Sequence, residues 1–204
     1  MGRISDAKDR LMDAVLKLMW TGSYGSTTVD HICHEAGVQK GTFYYFFNSK
    51  AELAMKALGA DWQRRKAQWD GLFSATTEPV ERIRQFCEFV YRRQAALKEE
   101  YGCVLGCPLY TLGSEICTQE QGLRAKIQEI LGYHRKYLES AIREAHGEHS
   151  INAPDAAEKA RMIHAYYEGL LTQARIQNDA EVLRELPRGV FALLGLGEKV
   201  LMAA

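Results

Sequence analysis

The chain has 204 residues, 47% of them hydrophobic, and its 26 basic and 26 acidic side chains leave no formal net charge. A chain of this length buries roughly 70% of the surface its extended form exposes, so it supports one or two packed domains. The charge balance excludes a globally basic nucleic-acid-binding protein, and any such surface must be local. The first residues, MGRISDAKDRL, contain no apolar signal segment, and no apolar run approaches the ~18 residues of a membrane span. A cytoplasmic protein is expected. Five irregularly spaced cysteines, Cys33, Cys87, Cys103, Cys107 and Cys117, fit reduced thiols better than a disulfide framework.

The four prolines, Pro79, Pro108, Pro154 and Pro187, are far apart, and the stretches between them read with helical period and without strand-like alternation. The first helix is expected over 6–20, capped by Asp6, with Ala7, Leu11, Ala14, Val15, Leu18 and Met19 on one face. A short second helix follows Thr28 as its cap, with Val29, Ile32, Cys33 and Ala36 as its apolar stripe. Gly37 stands where a left-handed residue ends a helix, and Val38 follows as the hydrophobic plug. A third helix covers about 39–47. Ser49 and Glu52 then form a capping box that opens a long fourth helix ending near Gly71.

Beyond it, helices are expected over about 80–100, 116–131, 132–146, 155–177 and 187–202. The GCVLGCPLYTLGSE segment is the least regular. The fold class is therefore all-α: an N-terminal three-helix helix-turn-helix domain, residues 1–48, followed by a larger helical domain, residues 49–204.

The third helix carries the first functional signal. Phe43, Phe46 and Phe47 share one face, which anchors the helix to its own domain. Opposite them lie Gly41, Tyr44 and Tyr45, flanked by Lys40 and Thr42. Gly41 has no side chain, so a duplex can approach the backbone there. Lys40, Gln39 and Thr42 can reach groove edges, and tyrosine hydroxyls can bind phosphates. An ordinary helical hairpin with solvated tyrosines is the competing reading.

The run TTVDHICHEAGVQKGTFYYFFNSKAEL resembles the helix-turn-helix signature of the TetR family of bacterial transcriptional repressors. The similarity extends over about 7–58 and implies a homodimer on a palindromic, double-stranded DNA operator. It implies that Thr28 contacts phosphate, that Gln39, Lys40 and Thr42 read bases, and that Tyr44, Tyr45 and Lys50 clamp the backbone. Phe46 departs from the histidine of many relatives and is expected to pack. The resemblance also pairs the last two long helices with their mates as a dimer interface. The fourth helix then acts as a lever on the spacing of recognition helices in grooves about 34–36 Å apart.

GCPLYTLGSEI resembles a subgroup of this family, the NemR-type electrophile- and oxidant-sensing repressors, in which the cysteine equivalent to Cys107 reacts. Pro108 favours the first position of a helix, which would place Cys107 at its cap. Cys103, four residues earlier, would share its face if this stretch is helical. The alternatives are cysteines as small core residues and a conventional pocket. Trp62, Trp69, Phe73, Phe86, Phe89, Tyr110 and Tyr166 lie on body helices and are candidates to line a cavity for a small aromatic or cationic inducer.

Two readings from other classes remain: a thiol-dependent enzyme and a helical interaction module without DNA binding. His31, Cys33, His34, His146 and His149 lack zinc-site spacing, and no phosphate loop or G-x-S-x-G is present. Nothing local supports a nucleophile pairing Cys107 with His134 or His164. No metal or cofactor is expected.

Overall fold

The computed structural model describes residues 2–116 and 120–197. Among them the structure is helical, without strands: α1 Gly2–Thr21, α2 Val29–Ala36, α3 Lys40–Phe46, α4 Lys50–Leu72, α5 Pro79–Tyr101, α6 Pro108–Ile116, α7 Gln121–Gly147, α8 Ala156–Gln177 and α9 Leu186–Leu193. A 3-10 turn, Ala180–Glu185, precedes α9. The all-α expectation holds.

The chain packs as two units: Met1–Arg65 with Pro108–Leu131, and Lys66–Cys107 with Gly132–Ala204. In the first unit the core is Leu11 and Val15 of α1, Ile32 of α2, Phe43 and Phe47 around α3, and Leu53 of α4, each at most 1% exposed. Burying side chains of this kind contributes roughly 1.5–3 kcal/mol each. α2 is capped at Thr28, whose hydroxyl accepts the His31 N–H at 3.1 Å. Gly37 ends it in the left-handed region, φ 60°, with bonds from Gly37 N–H to the His34 carbonyl and from Val38 N–H to the Cys33 carbonyl. Those paired bonds make the tight turn into α3. Arg10 of α1 braces the same turn by donating to the Ala36 carbonyl at 2.7 Å.

In the second unit α5, α8, α9 and the 3-10 turn enclose Ile83, Phe86, Cys87, Ile163, Leu171, Leu183 and Phe191, all buried. Asp155 caps α8 by accepting the Glu158 N–H, and Asn178 ends it at φ 51°. Arg82, 4% exposed, pairs with Glu144 at 2.6 Å and donates to the Thr77 carbonyl.

Several sequence expectations are corrected. α1 begins at Gly2, so Asp6 lies inside it and pairs with Arg10 at 3.3 Å instead of capping. The Ser49 hydroxyl does accept the Glu52 N–H, but Glu52 reaches back to the Asn48 N–H at 2.8 Å. Residues 116–146 do not break at Gly132: α7 is continuous, because one glycine costs a helix only about 1 kcal/mol and flanking turns outweigh it. The irregular segment contains a regular helix, α6, from Pro108 onward. Residues 103–107 are non-helical, so Cys103 and Cys107 do not share a helical face. The last helix stops at Leu193, where Leu194 and the left-handed Gly195, φ 75°, close it. Cys117 and residues 198–202 of the expected final helix lie outside the described residues.

Candidate nucleic-acid interface and sensing site

α3 presents two unlike faces. Phe43 is 0% exposed, whereas Tyr44 and Tyr45 are 55% and 74% exposed. Gln39 caps the helix, and Gln39, Lys40 and Gly41 are exposed while Thr42 is half-buried. A Cβ built on Gly41 meets nothing within 4 Å, so nothing in the protein requires glycine there. Beside it runs a groove of about 560 Å³ lined by Ala7 and Arg10 of α1 and by Gln39, Thr42, Tyr45 and Phe46. Phe46 is half-buried at this groove, and its ring packs edge-on against Tyr45.

The two candidate lysines differ. Lys40 is exposed and pairs with Asp30 at 2.9 Å, a contact that raises its pKa and that solvent screens. Lys50 turns inward: its ammonium donates to the carbonyls of Tyr24 at 2.6 Å and Thr27 at 2.8 Å and lies 3.9 Å from the Tyr24 ring centroid. Burial lowers its pKa, against the opposing pull of Glu115 and Glu120. Glu115 of α6 holds the same turn, accepting the N–H groups of Tyr24 at 2.9 Å and Gly25 at 2.7 Å. Thr28 presents its hydroxyl to its own helix as a cap and is exposed.

The sensing candidates fall in both units. Trp62 is buried and Tyr110 is 37% exposed in the first unit. Phe89 and Tyr166 are half-buried in the second, where Tyr166 donates to the Glu185 carbonyl and covers Gly189. Cys103 and Cys107 are both half-buried. The loop that carries them is fixed from two sides. Gly106 exchanges two hydrogen bonds with the buried Gln94 amide, at 2.9 and 3.3 Å. Asn178 accepts the Val104 N–H at 2.9 Å.

What the second unit brings together is a polar group inside an aromatic cluster. Trp69 stacks on His134 at 4.2 Å, His134 lies 6.4 Å from His164, and Tyr167 contacts His164 at 5.8 Å and Phe86 at 5.2 Å. Phe73 stacks on Trp69 at 5.9 Å. In the same unit Glu168 is 1% exposed, and neither of its carboxyl oxygens has a hydrogen-bond partner among the described residues. Burial pushes the Glu168 pKa up to about 8 and pulls His164 down to about 4, so at neutral pH this centre is largely uncharged. Glu168 escaped the sequence reading. Its signal was present: a lone carboxylate on the apolar stripe of α8, one turn after His164.

Among the described residues no three His, Cys, Asp or Glu side chains are arranged to hold a metal ion, and no described helix is long and apolar enough to cross a membrane.

A capped short helix, a left-handed turn and a second helix with a buried aromatic spine and an open polar face define a helix-turn-helix DNA-binding regulator. Residues 11–56 match the family described as bacterial regulatory proteins, tetR family, and residues 79–190 match the tetracyclin repressor-like C-terminal domain. The chain therefore belongs to the TetR family of transcriptional regulators. It is 26% identical to the transcriptional regulator AcuR of Cereibacter sphaeroides over 89% of this chain and 82% of that protein. Its fold is similar to the regulatory protein TetR of Rhodobacter sphaeroides, with TM-score 0.80, 24% identity and coverage of 92% and 98% of the two chains. It is also similar to the reduced form of E. coli NemR, with TM-score 0.78, 20% identity and coverage of 91% and 95%.

Proposed function

We propose that this regulator is a cytoplasmic repressor, not an enzyme, that binds a palindromic operator as a homodimer. Residues 1–48 carry DNA binding and residues 49–204 carry sensing and dimerisation. One observation supports the DNA face above all: two adjacent large aromatics stand in solvent on a seven-residue helix whose other face is buried. Exposed aromatics in register with an exposed glycine and lysine are surface kept for a partner. In this reading Gln39, Lys40 and Thr42 read groove edges, with the Lys40 ammonium also within reach of phosphate, while Thr28, Tyr44 and Tyr45 bind phosphates. Lys50 acts by holding the 24–27 turn in place, since its ammonium already carries two carbonyls.

The test uses the free space at Gly41. Gly41→Ala fits the unbound protein and favours a helix by roughly 0.5–1 kcal/mol. We expect at least about tenfold weaker binding to a duplex from the regulator's own promoter, read by fluorescence anisotropy, with Tm unchanged or raised. Unchanged affinity would move the DNA away from α3.

The homodimer reading rests on α8. Met162, Ala165, Gly169, Thr172 and Ile176 are all exposed, and their spacing of three and four residues makes one stripe. Ile176 is 79% exposed and Met162 41%. A small and apolar stripe of that kind is what a second copy of the helix covers. Gly169→Arg is expected to yield monomers in analytical ultracentrifugation and to abolish operator binding. A dimer that persists would place the interface elsewhere.

Release is proposed to follow from thiol modification at Cys107 or from a ligand at the aromatic cluster of the second unit, with Cys103, Trp62, Phe89, Tyr110 and Tyr166 as further candidates. The half-buried position of Cys107 on a loop held by Gln94 and Asn178 supports the thiol route. Cys103 lies on the same fixed loop, but without the helical alignment that would make it a ready resolving partner.

A further inference from the structure

We infer that Glu115 of α6 is a positioning residue for operator binding: its carboxylate holds the backbone of the turn that leads into α2, and so sets where α2 and α3 stand. The inference rests on the proposed DNA face of α3 and adds to it a group that lies outside residues 1–48, though within the same packed unit.

Three observations carry it. The turn satisfies only part of its own backbone: the Ser26 N–H goes to the Ser23 hydroxyl at 3.1 Å and the Thr27 N–H to the Tyr24 carbonyl at 3.3 Å. The N–H groups of Tyr24 and Gly25 go instead to the two carboxylate oxygens of Glu115, at 2.9 and 2.7 Å, across 91 and 90 residues of chain. Second, the turn is held through both kinds of backbone group, because the Lys50 ammonium donates to the Tyr24 and Thr27 carbonyls at 2.6 and 2.8 Å. A cation on the carbonyls and an anion on the N–H groups fix it from opposite ends of its peptide dipoles. Third, the carboxylate shapes the space at Gly25. That glycine is outside the left-handed region, so its backbone admits alanine, yet a Cβ built there comes within 3.0 Å of Glu115 Oε1.

The consequence for DNA binding follows from what the turn feeds. Thr27 is 4% exposed, its hydroxyl returns to the Ser23 carbonyl at 2.6 Å, and the next residue, Thr28, caps α2. The left-handed Gly37 then carries the chain from α2 into α3. Without Glu115 two N–H groups of the turn lose their protein acceptor, and an open form that bonds water instead gains population. Operator affinity falls by the fraction of protein in which the turn is out of place. The sign separates this effect from simple electrostatics. Taking a negative charge off a DNA-binding unit should by itself tighten binding, whereas losing a positioning group weakens it. Linkage is reciprocal, so bound operator must close the turn by the same factor that the open turn costs in affinity.

The test uses the full-length protein and a duplex from its own promoter, with wild type, Glu115→Gln and Gly25→Ala. Glu115→Gln keeps the side chain's length but offers one acceptor oxygen in place of two. Gly25→Ala keeps the carboxylate and crowds it, and it supplies the comparison if the amide variant does not fold. By fluorescence anisotropy Glu115→Gln should bind about tenfold more weakly, and Gly25→Ala by a smaller factor. Hydrogen exchange at the Tyr24 and Gly25 amides should be about tenfold faster in free Glu115→Gln, with α5 and α8 unchanged. Saturating operator should slow it again by the factor lost in affinity. Unchanged exchange at the turn, affinity equal to or above wild type, or faster exchange throughout α5 and α8 would overturn the inference. Gly41→Ala, run alongside, tests the α3 reading by itself. Full affinity there with a loss in Glu115→Gln moves the DNA off α3 and keeps Glu115 as a positioning residue; a loss there with none in Glu115→Gln keeps α3 and removes Glu115.

Discussion

The outer face of α3 and the inner face of α8 invert the ordinary rule of burial in opposite directions. On α3, Tyr44 and Tyr45 stand in solvent where a helix of this size would place lysine or glutamate. On α8, Glu168 sits in the core where leucine would pack without cost. Both depart from what folding alone favours, and neither is needed by the helix that carries it. The difference lies in how each is held. The tyrosines are simply exposed, with Phe43 and Phe47 anchoring the helix behind them. The carboxyl group is 1% exposed, with His164 Nε2 4.0 Å away, so its chemistry is set by desolvation. On the proposed reading a surface departure is a contact awaiting a partner; a core departure is a group whose proton has been shifted by burial.

The largest effect expected on this comparison comes from removing the surface departure. Replacing Tyr44 and Tyr45 together by alanine should weaken operator binding by about 30- to 150-fold, since each lost phosphate contact costs roughly 1–1.5 kcal/mol. Tm should hardly move. A large drop in Tm with affinity intact would make the pair structural and erase the contrast.

Removing the core departure should act through pH. Glu168 has a folded pKa near 8, above its unfolded value, so the folded state holds an extra proton between about pH 4.5 and 8. The stability it contributes is therefore full below about pH 4.5 and is lost as pH rises toward 8. His164 works from the other side: its folded pKa near 4 lies below the unfolded value, so stability is lost as pH falls from about 6.5. Glu168→Gln should flatten the alkaline limb of the denaturation free energy by up to a few kcal/mol and leave the acid limb in place. An unaltered alkaline limb would show that the carboxyl group is ionised in the fold.

The smallest effect separates the two lysines. Lys40→Met should lower the salt dependence of operator binding by about one unit in slope and leave Tm nearly unchanged, because its pair with Asp30 is exposed. Lys50→Met removes the ammonium donor from the Thr27 carbonyl and leaves the Tyr24 carbonyl only the Thr27 N–H, and should cost about 1–3 kcal/mol of stability with the salt slope intact. Reversal of these two results would return Lys50 to the phosphate backbone.

Much of the first unit was legible because its signals are local. Thr28, Gly37 and the aromatic run act within one or two helical turns, so spacing and turn chemistry were enough to place α2, the turn and α3. The same locality fixed the cap and end of α8 at Asp155 and near Gln177. Where reading along the chain erred, the deciding force was not local. Gly132 looked like a break, yet α7 continues through it; Asp6 looked like a cap, yet α1 extends past it.

The sequence by itself determined the helical class, the helix-turn-helix and the two unlike faces of α3, since periodicity and capping are written in neighbouring residues. Only the tertiary structure decided that Lys50 faces the 24–27 turn and that His134 comes to lie near His164. Those placements join groups 26 and 23 residues apart in one case and 30 in the other. The physical reason is shared: a charge or a proton is governed by what surrounds it, and packing brings those surroundings from distant parts of the chain.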